Sequence, residues 1–202
     1  DWAGLWVIAT FPSRHYDIED YPTMRDYLLS FGKERLEQTG KTHTIDGVTF
    51  KSRKKTANKW FEVQDSIAYW KDFDRPKIIW KIIGSRLAFT IDTNRVMVNN
   101  ACYILTGERL QHILGFLNSS PLIWYSEITN MNKTGVGDAQ VGAQNIMLFP
   151  VPAIVSEEIE RYVNLLLNDP VNEEMKLLLA KQIYAVFDLN EDEISFLEAL
   201  NL

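Results

Sequence analysis

Basic, amide and aromatic side chains alternate through Lys51, Arg53, Lys54, Lys55, Asn58, Lys59, Trp60, Arg75, Lys77, Lys81 and Arg86. Such a set suits duplex DNA. Lysine and arginine neutralise phosphates and release counterions, while arginine, asparagine and glutamine reach base edges. The run 51–56 reads equally as a solvated loop or as a phosphate-contacting arm. Trp60, Phe61 and Trp80 are expected to pack in a core.

The acid–base chemistry of an enzyme is not legible. His15, His43 and His112 are scattered without metal-ligand spacing, and Cys102 stands alone. Thr-Gly-Val-Gly (134–137) lacks the third glycine and strand-to-helix setting of a phosphate loop, so a flexible loop is expected there. Asp188, Asn190 and Asp192 imitate half a calcium loop, but Glu193 and Ala199 occupy its glycine and closing glutamate positions. Glu174-Met175-Lys176 matches a nuclease triplet but falls on an expected helix. No Asn-Pro-Pro-Tyr tetrapeptide of an adenine methyltransferase occurs.

The elements that would carry the basic set begin with Ile78, Ile79, Trp80, Ile82 and Ile83, an apolar β-branched run that predicts a buried strand. Asp92-Thr93-Asn94 separates two further alternating segments and predicts a hairpin. Gly4 to Phe11 reads as a strand closed by Pro12. Tyr27, Leu28, Phe31 and Leu36 predict a helix over 23–38, with Pro22 in its first turn. Asp46-Gly47 predicts a hairpin arm over 45–50. Asp65 suits the N-cap of a short helix through Trp70. Leu110, Ile113, Leu114 and Leu117 give a clear amphipathic helix, broken before Pro121, and another begins at Leu122. Residues 130–145 read as a mobile loop, and 147–152 as an extended exit. The tail is helical, and Asn190 with Glu193 predicts a capping box.

The 202 residues allow a self-sufficient core of one domain or slightly more. A single cysteine suits a reducing compartment, hence the cytoplasm. No apolar run reaches membrane-spanning length and no signal peptide is evident, so no membrane partner is expected. The opening Asp-Trp suggests a piece of a longer protein. The net charge of −6 is unevenly spread. Residues 41–95 hold 12 Lys+Arg against 6 Asp+Glu, and residues 150–202 hold 3 against 11. A basic region joined to an acidic helical tail can present one positive face.

Several blocks resemble the TaqI-like specificity domains. They are Arg-Lys-Lys-Thr-Ala-Asn-Lys-Trp-Phe-Glu-Val-Gln-Asp (53–65), Pro-Lys-Ile-Ile-Trp (76–80), Phe-Thr-Ile-Asp (89–92), Asn-Asn-Ala-Cys-Tyr-Ile-Leu-Thr-Gly (99–107), Leu-Gly-Phe-Leu-Asn-Ser (114–119) and Phe-Pro-Val-Pro (149–152). The resemblance runs from about Phe11 into the tail, where 189–200 resembles a closing helix. It implies the target-recognition part of an adenine-specific DNA methyltransferase in a bacterial type II restriction–modification enzyme. This chain departs from the pattern in the loop 135–145, which lacks the arginine and further basic residues that many relatives carry.

The resulting expectation is an α+β fold with a mixed or antiparallel sheet, flanking helices and a C-terminal helical tail. Residues 1–152 would form the target-recognition domain, with 153–202 packed on it. Double-stranded DNA is the expected partner, together with an upstream methyltransferase domain in the same chain. Lys51, Lys54, Lys55, Lys59, Lys77, Lys81 and Lys133 are candidates for phosphates, and Arg53, Asn132, Gln140 and Gln144 for base edges. Arg53 suits either role. No catalytic residue, metal or cofactor is expected in this chain. S-adenosylmethionine, and magnesium if a nuclease is fused, are implied for the parent. The alternative is a protein-interaction scaffold docked through the acidic tail.

Overall fold

A computed structural model describes residues 3–84, 86–129 and 139–200. The chain is α+β and divides into two compact units, residues 1–71 and 72–202.

The first unit holds helices α1 (Pro22–Leu29) and α2 (Lys33–Leu36), then strands β1 (Thr42–Ile45) and β2 (Val48–Lys51). Pro22 opens α1, where its missing N–H costs nothing. The single helix expected over 23–38 is split, because Gly32 takes φ +87 and caps α2 from outside helical space. β1 and β2 form the expected hairpin. Asp46 (φ 49) and Gly47 (φ 77) both occupy the left-handed region that a two-residue hairpin turn requires. The run from Gly4 to Phe11 forms no strand. Its backbone is irregular apart from the 3-10 turn that begins at Pro12, and Leu5, Trp6 and Val7 are exposed. The helix expected after Asp65 is also absent. Ile67 sits at φ 46, and only a short 3-10 turn follows at Trp70–Asp74.

The second unit is built on β3 (Lys77–Lys81), followed by β4 (Ile83–Gly84), β5 (Phe89–Asp92) and β6 (Cys102–Leu105). β3 is the centre of a three-stranded sheet, paired antiparallel to β5 on one side and to β6 on the other. β5 and β6 therefore run parallel, and residues 93–101 carry the chain from one end of the sheet to the other. The hairpin expected around Asp92-Thr93-Asn94 does not form, because β5 pairs backwards with β3 and leaves 93–101 without a ladder. Ile78 and Trp80 project from one face of β3 into the core. Ile79, on the other face, is only half-buried.

Helices α3 (Leu110–Leu117) and α4 (Ser120–Ile128) follow as expected, and Pro121 opens the second. β7 (Ala139–Gln140) pairs with β4, and α5 (Ala143–Ile146) follows, so part of the expected loop 130–145 is regular structure. The tail is α6 (Glu157–Asn168), α7 (Glu173–Val186) and α8 (Glu191–Ala199), each capped by a side chain from Ser156, Asn172 or Asn190. The Asn190–Glu193 capping box forms as expected.

The tail shares the core of the second unit. Leu114, Phe116 and Leu117 of α3 meet Ile159 and Val163 of α6 and Ile183 of α7 in one buried cluster. Gly115 permits the approach of α6. A Cβ there would lie 3.0 Å from Ile159 and 3.1 Å from Val163. Trp80 is locked by its indole N–H, which donates to the Val141 carbonyl at 3.0 Å. No helix among the described residues is long and apolar enough to cross a membrane.

Candidate nucleic-acid interface

The block 53–65 is braced from within. A loop without a ladder leaves its carbonyls without helix or sheet partners, and buried ones must be satisfied by side chains. Arg53 supplies three donors. Its Nε reaches the Leu36 carbonyl at 2.7 Å, Nη1 reaches that of Glu62 at 2.9 Å, and Nη2 donates to that of Trp60. Gln38, which is buried, donates to the Lys59 carbonyl at 3.1 Å and to that of Glu62 at 2.7 Å. It also accepts from the Thr56 hydroxyl at 2.6 Å. Asn58 donates to the carbonyls of Val63 and Gln64. The Glu62 carboxylate accepts the Lys59 backbone N–H at 2.7 Å.

This network removes Arg53 from the base-reading set. Its guanidinium is spent on carbonyls, and burial draws its pKa below the ordinary arginine value. Lys54 and Lys55 stay exposed between the braces, as does Lys51 at the end of β2. Backbone pairing gathers them at the root of the hairpin arm. Gly40 N–H donates to the Arg53 carbonyl, and Ser52 N–H donates to that of Lys41. Lys41 therefore joins this basic root, a placement that follows from the strand pairing and not from its neighbours in sequence. Lys59 is exposed but tethered, its ammonium donating to the Tyr16 carbonyl at 3.0 Å.

In the second unit Lys77 is fully buried, which excludes it from the phosphate set. Its ammonium donates to the Phe73 carbonyl at 2.9 Å and to the Asp92 carboxylate, which faces it across the β3–β5 ladder. Asp92 also accepts the backbone N–H groups of Asn94 (3.0 Å) and Val96 (2.9 Å). Burial alone would raise the Asp92 pKa, but Lys77 and the two N–H groups outweigh it and hold the pKa below the ordinary value.

Lys81 is exposed at the far end of β3. Gln140 is exposed on β7, where it faces Ile83 of β4. Gln144 is exposed on α5, and its amide folds against Gly142. A Cβ at Gly142 would meet that amide at 2.5–2.7 Å. Asn132, Lys133 and the 134–137 glycine segment lie outside the described residues. Among the described residues no group of three or more histidine, cysteine and carboxylate side chains could hold a metal.

A comparison with protein-family models matches residues 17–151 to the TaqI-like C-terminal specificity domain. The chain belongs to this family. Membership gives the domain a DNA-specificity role in restriction–modification. The match takes in the braced block, the whole β5–β3–β6 sheet and α5, and it stops before α6. The acidic helical tail lies beyond the matched range and shares its buried core with α3.

Proposed function

We propose that this TaqI-like specificity domain grips one duplex sequence and presents an adenine within it to a methyltransferase domain that lies upstream in the same protein. The observation that carries the reading is the division of labour in 53–65. Arginine and amides brace the backbone while Lys54 and Lys55 are held outward, at the root of an arm that also bears Lys51. A rigid, sequence-independent grip of this kind sets register on the phosphates, which carry no sequence information. Gln140 and Gln144, on short elements of the second unit, have the paired donor and acceptor that recognise adenine edges.

Chemistry on the adenine requires its extrusion from the stack. S-adenosylmethionine, and magnesium if a nuclease is fused, would belong to the domain that performs it. This chain would supply grip and sequence choice, in the bacterial cytoplasm where its DNA resides.

A domain exchange tests the proposal. Residues 1–202 are transplanted in place of the specificity domain of a family member with a known target, and genomic adenine methylation is mapped by sequencing. Methylation should move to a new sequence shared with the parent of this chain. Methylation that stays at the recipient's original sequence would sink the proposal.

A further inference from the structure

The turn after β5 presents Thr93, Asn94 and Arg95, three consecutive exposed side chains that can all hydrogen-bond. Arg95 takes φ 59, a left-handed conformation that a non-glycine residue adopts only when its surroundings hold it there. The holding group is visible. Asp92, buried at the end of β5, accepts the backbone N–H groups on both sides of Arg95, at 3.0 Å from Asn94 and 2.9 Å from Val96.

The Asp92 carboxylate is in turn fixed by the buried Lys77 ammonium. That ion pair has an electrostatic effect as well as a mechanical one. An uncompensated carboxylate beneath this turn would repel phosphates, and Lys77 cancels its charge. Arg95 remains as the outward charge of the turn, and among the described residues it forms no ion pair.

We infer that the turn 93–95 is a second base-reading element, with the Arg95 guanidinium contacting guanine and the Lys77–Asp92 pair as its positioning device. A planar guanidinium fits the two acceptors of guanine in the major groove, and its value depends on being held in place before binding. The turn lies at the Lys77 end of β3, and Gln140 pairs beyond the opposite end. The length of β3 alone separates them by about 13 Å, roughly four base-pair steps, so the two elements would read different positions of one site.

This inference rests on the DNA-specificity reading above. The test uses the full-length parent protein and a pool of random-sequence duplexes, from which bound DNA is selected and sequenced. Arg95→Ala and Arg95→Gly are compared with the wild type, and circular-dichroism melts check that each folds. Glycine accepts positive φ freely, so Arg95→Gly keeps the turn while removing the side chain that carries the guanidinium. Both variants should lose the preference for guanine at one position of the selected site, and bind the wild-type duplex roughly five- to 150-fold more weakly. Preferences at the other positions should persist. If Arg95→Gly keeps the wild-type preference, or if both variants weaken all duplexes alike, Arg95 reads no base. If the wild type itself enriches no sequence, the DNA-specificity reading falls and the inference with it.

Discussion

Replacing Lys77 by Met would leave the Asp92 carboxylate buried without its counter-charge. Breaking a buried pair by removing one partner costs about 3–5 kcal/mol. Two features place the expected loss in the lower part of that range. Asp92 keeps its bonds from Asn94 and Val96, and Met fills most of the space left by the lysine stem. The Phe73 carbonyl also loses the hydrogen bond from the Lys77 ammonium, and such a bond is worth about 1 kcal/mol. A net loss of about 3–4 kcal/mol is therefore expected at pH 7.

The pH dependence has a definite sign. In the wild type the Asp92 pKa lies below its unfolded value near 3.9, so its contribution is complete above about pH 4 and is lost as pH falls through the lower, folded value. Lys77→Met removes a charge that holds the Asp92 pKa down while the burial that pushes it up remains, so the pKa is expected to rise and the penalty to be relieved on acidification. Urea unfolding followed by circular dichroism should show the gap between wild type and variant narrowing from pH 7 to pH 4.5. Adding Asp92→Asn to the variant should recover part of the loss at pH 7. A gap below about 1 kcal/mol, or one unchanged by pH, would refute the assignment of a stabilising buried pair.

Trp80→Ala should cost about 3–5 kcal/mol in the same assay, because the ring is 3% exposed and its N–H holds the Val141 carbonyl. Arg53→Ala should destabilise the fold by several kcal/mol, since it removes the side-chain donor to the carbonyls of Leu36 and Trp60 and one of the two donors to that of Glu62. Lys54→Ala and Lys55→Ala should leave melting unchanged within about 0.5 kcal/mol. They should weaken binding to all duplexes alike and lower the salt slope by about 1 each in a salt titration of the full-length protein. Gln140→Ala or Gln144→Ala should cost about 1–3 kcal/mol on the selected duplex and little on scrambled DNA, as fluorescence anisotropy would show.

Features governed by neighbouring residues were legible in the sequence. Asp46-Gly47 made its hairpin because two adjacent positive φ values are a local demand, and Asn190 with Glu193 made its capping box for the same reason. The 3.6-residue spacing of Leu110, Leu114 and Leu117 survived because α3 faces a single core. Features that depend on pairing at a distance were hidden. Lys77 looked like its exposed neighbour Lys81 until the register placed it opposite Asp92. Arg53 carries the same sequence signal whether it forks onto a guanine or onto three carbonyls, and only the path of 36–62 decides between them. The apolar run 4–11 has the composition of a strand but forms none, and local composition does not decide whether a ladder is built.

The bracing of 36–64 also bears on how the chain folds. Its longest link, Gln38 to Glu62, spans 24 residues, and the others are shorter. Loop-closure entropy grows only with the logarithm of such a span, so these links close early and at modest cost. Each link is shared. Glu62's carbonyl takes bonds from both Gln38 and Arg53, and Gln38 serves Lys59, Glu62 and Thr56 at once. Losing one strands several polar groups, so the segment opens as a whole rather than fraying. In native-state hydrogen exchange its protected amides should therefore exchange with one common opening free energy, as a single cooperative unit.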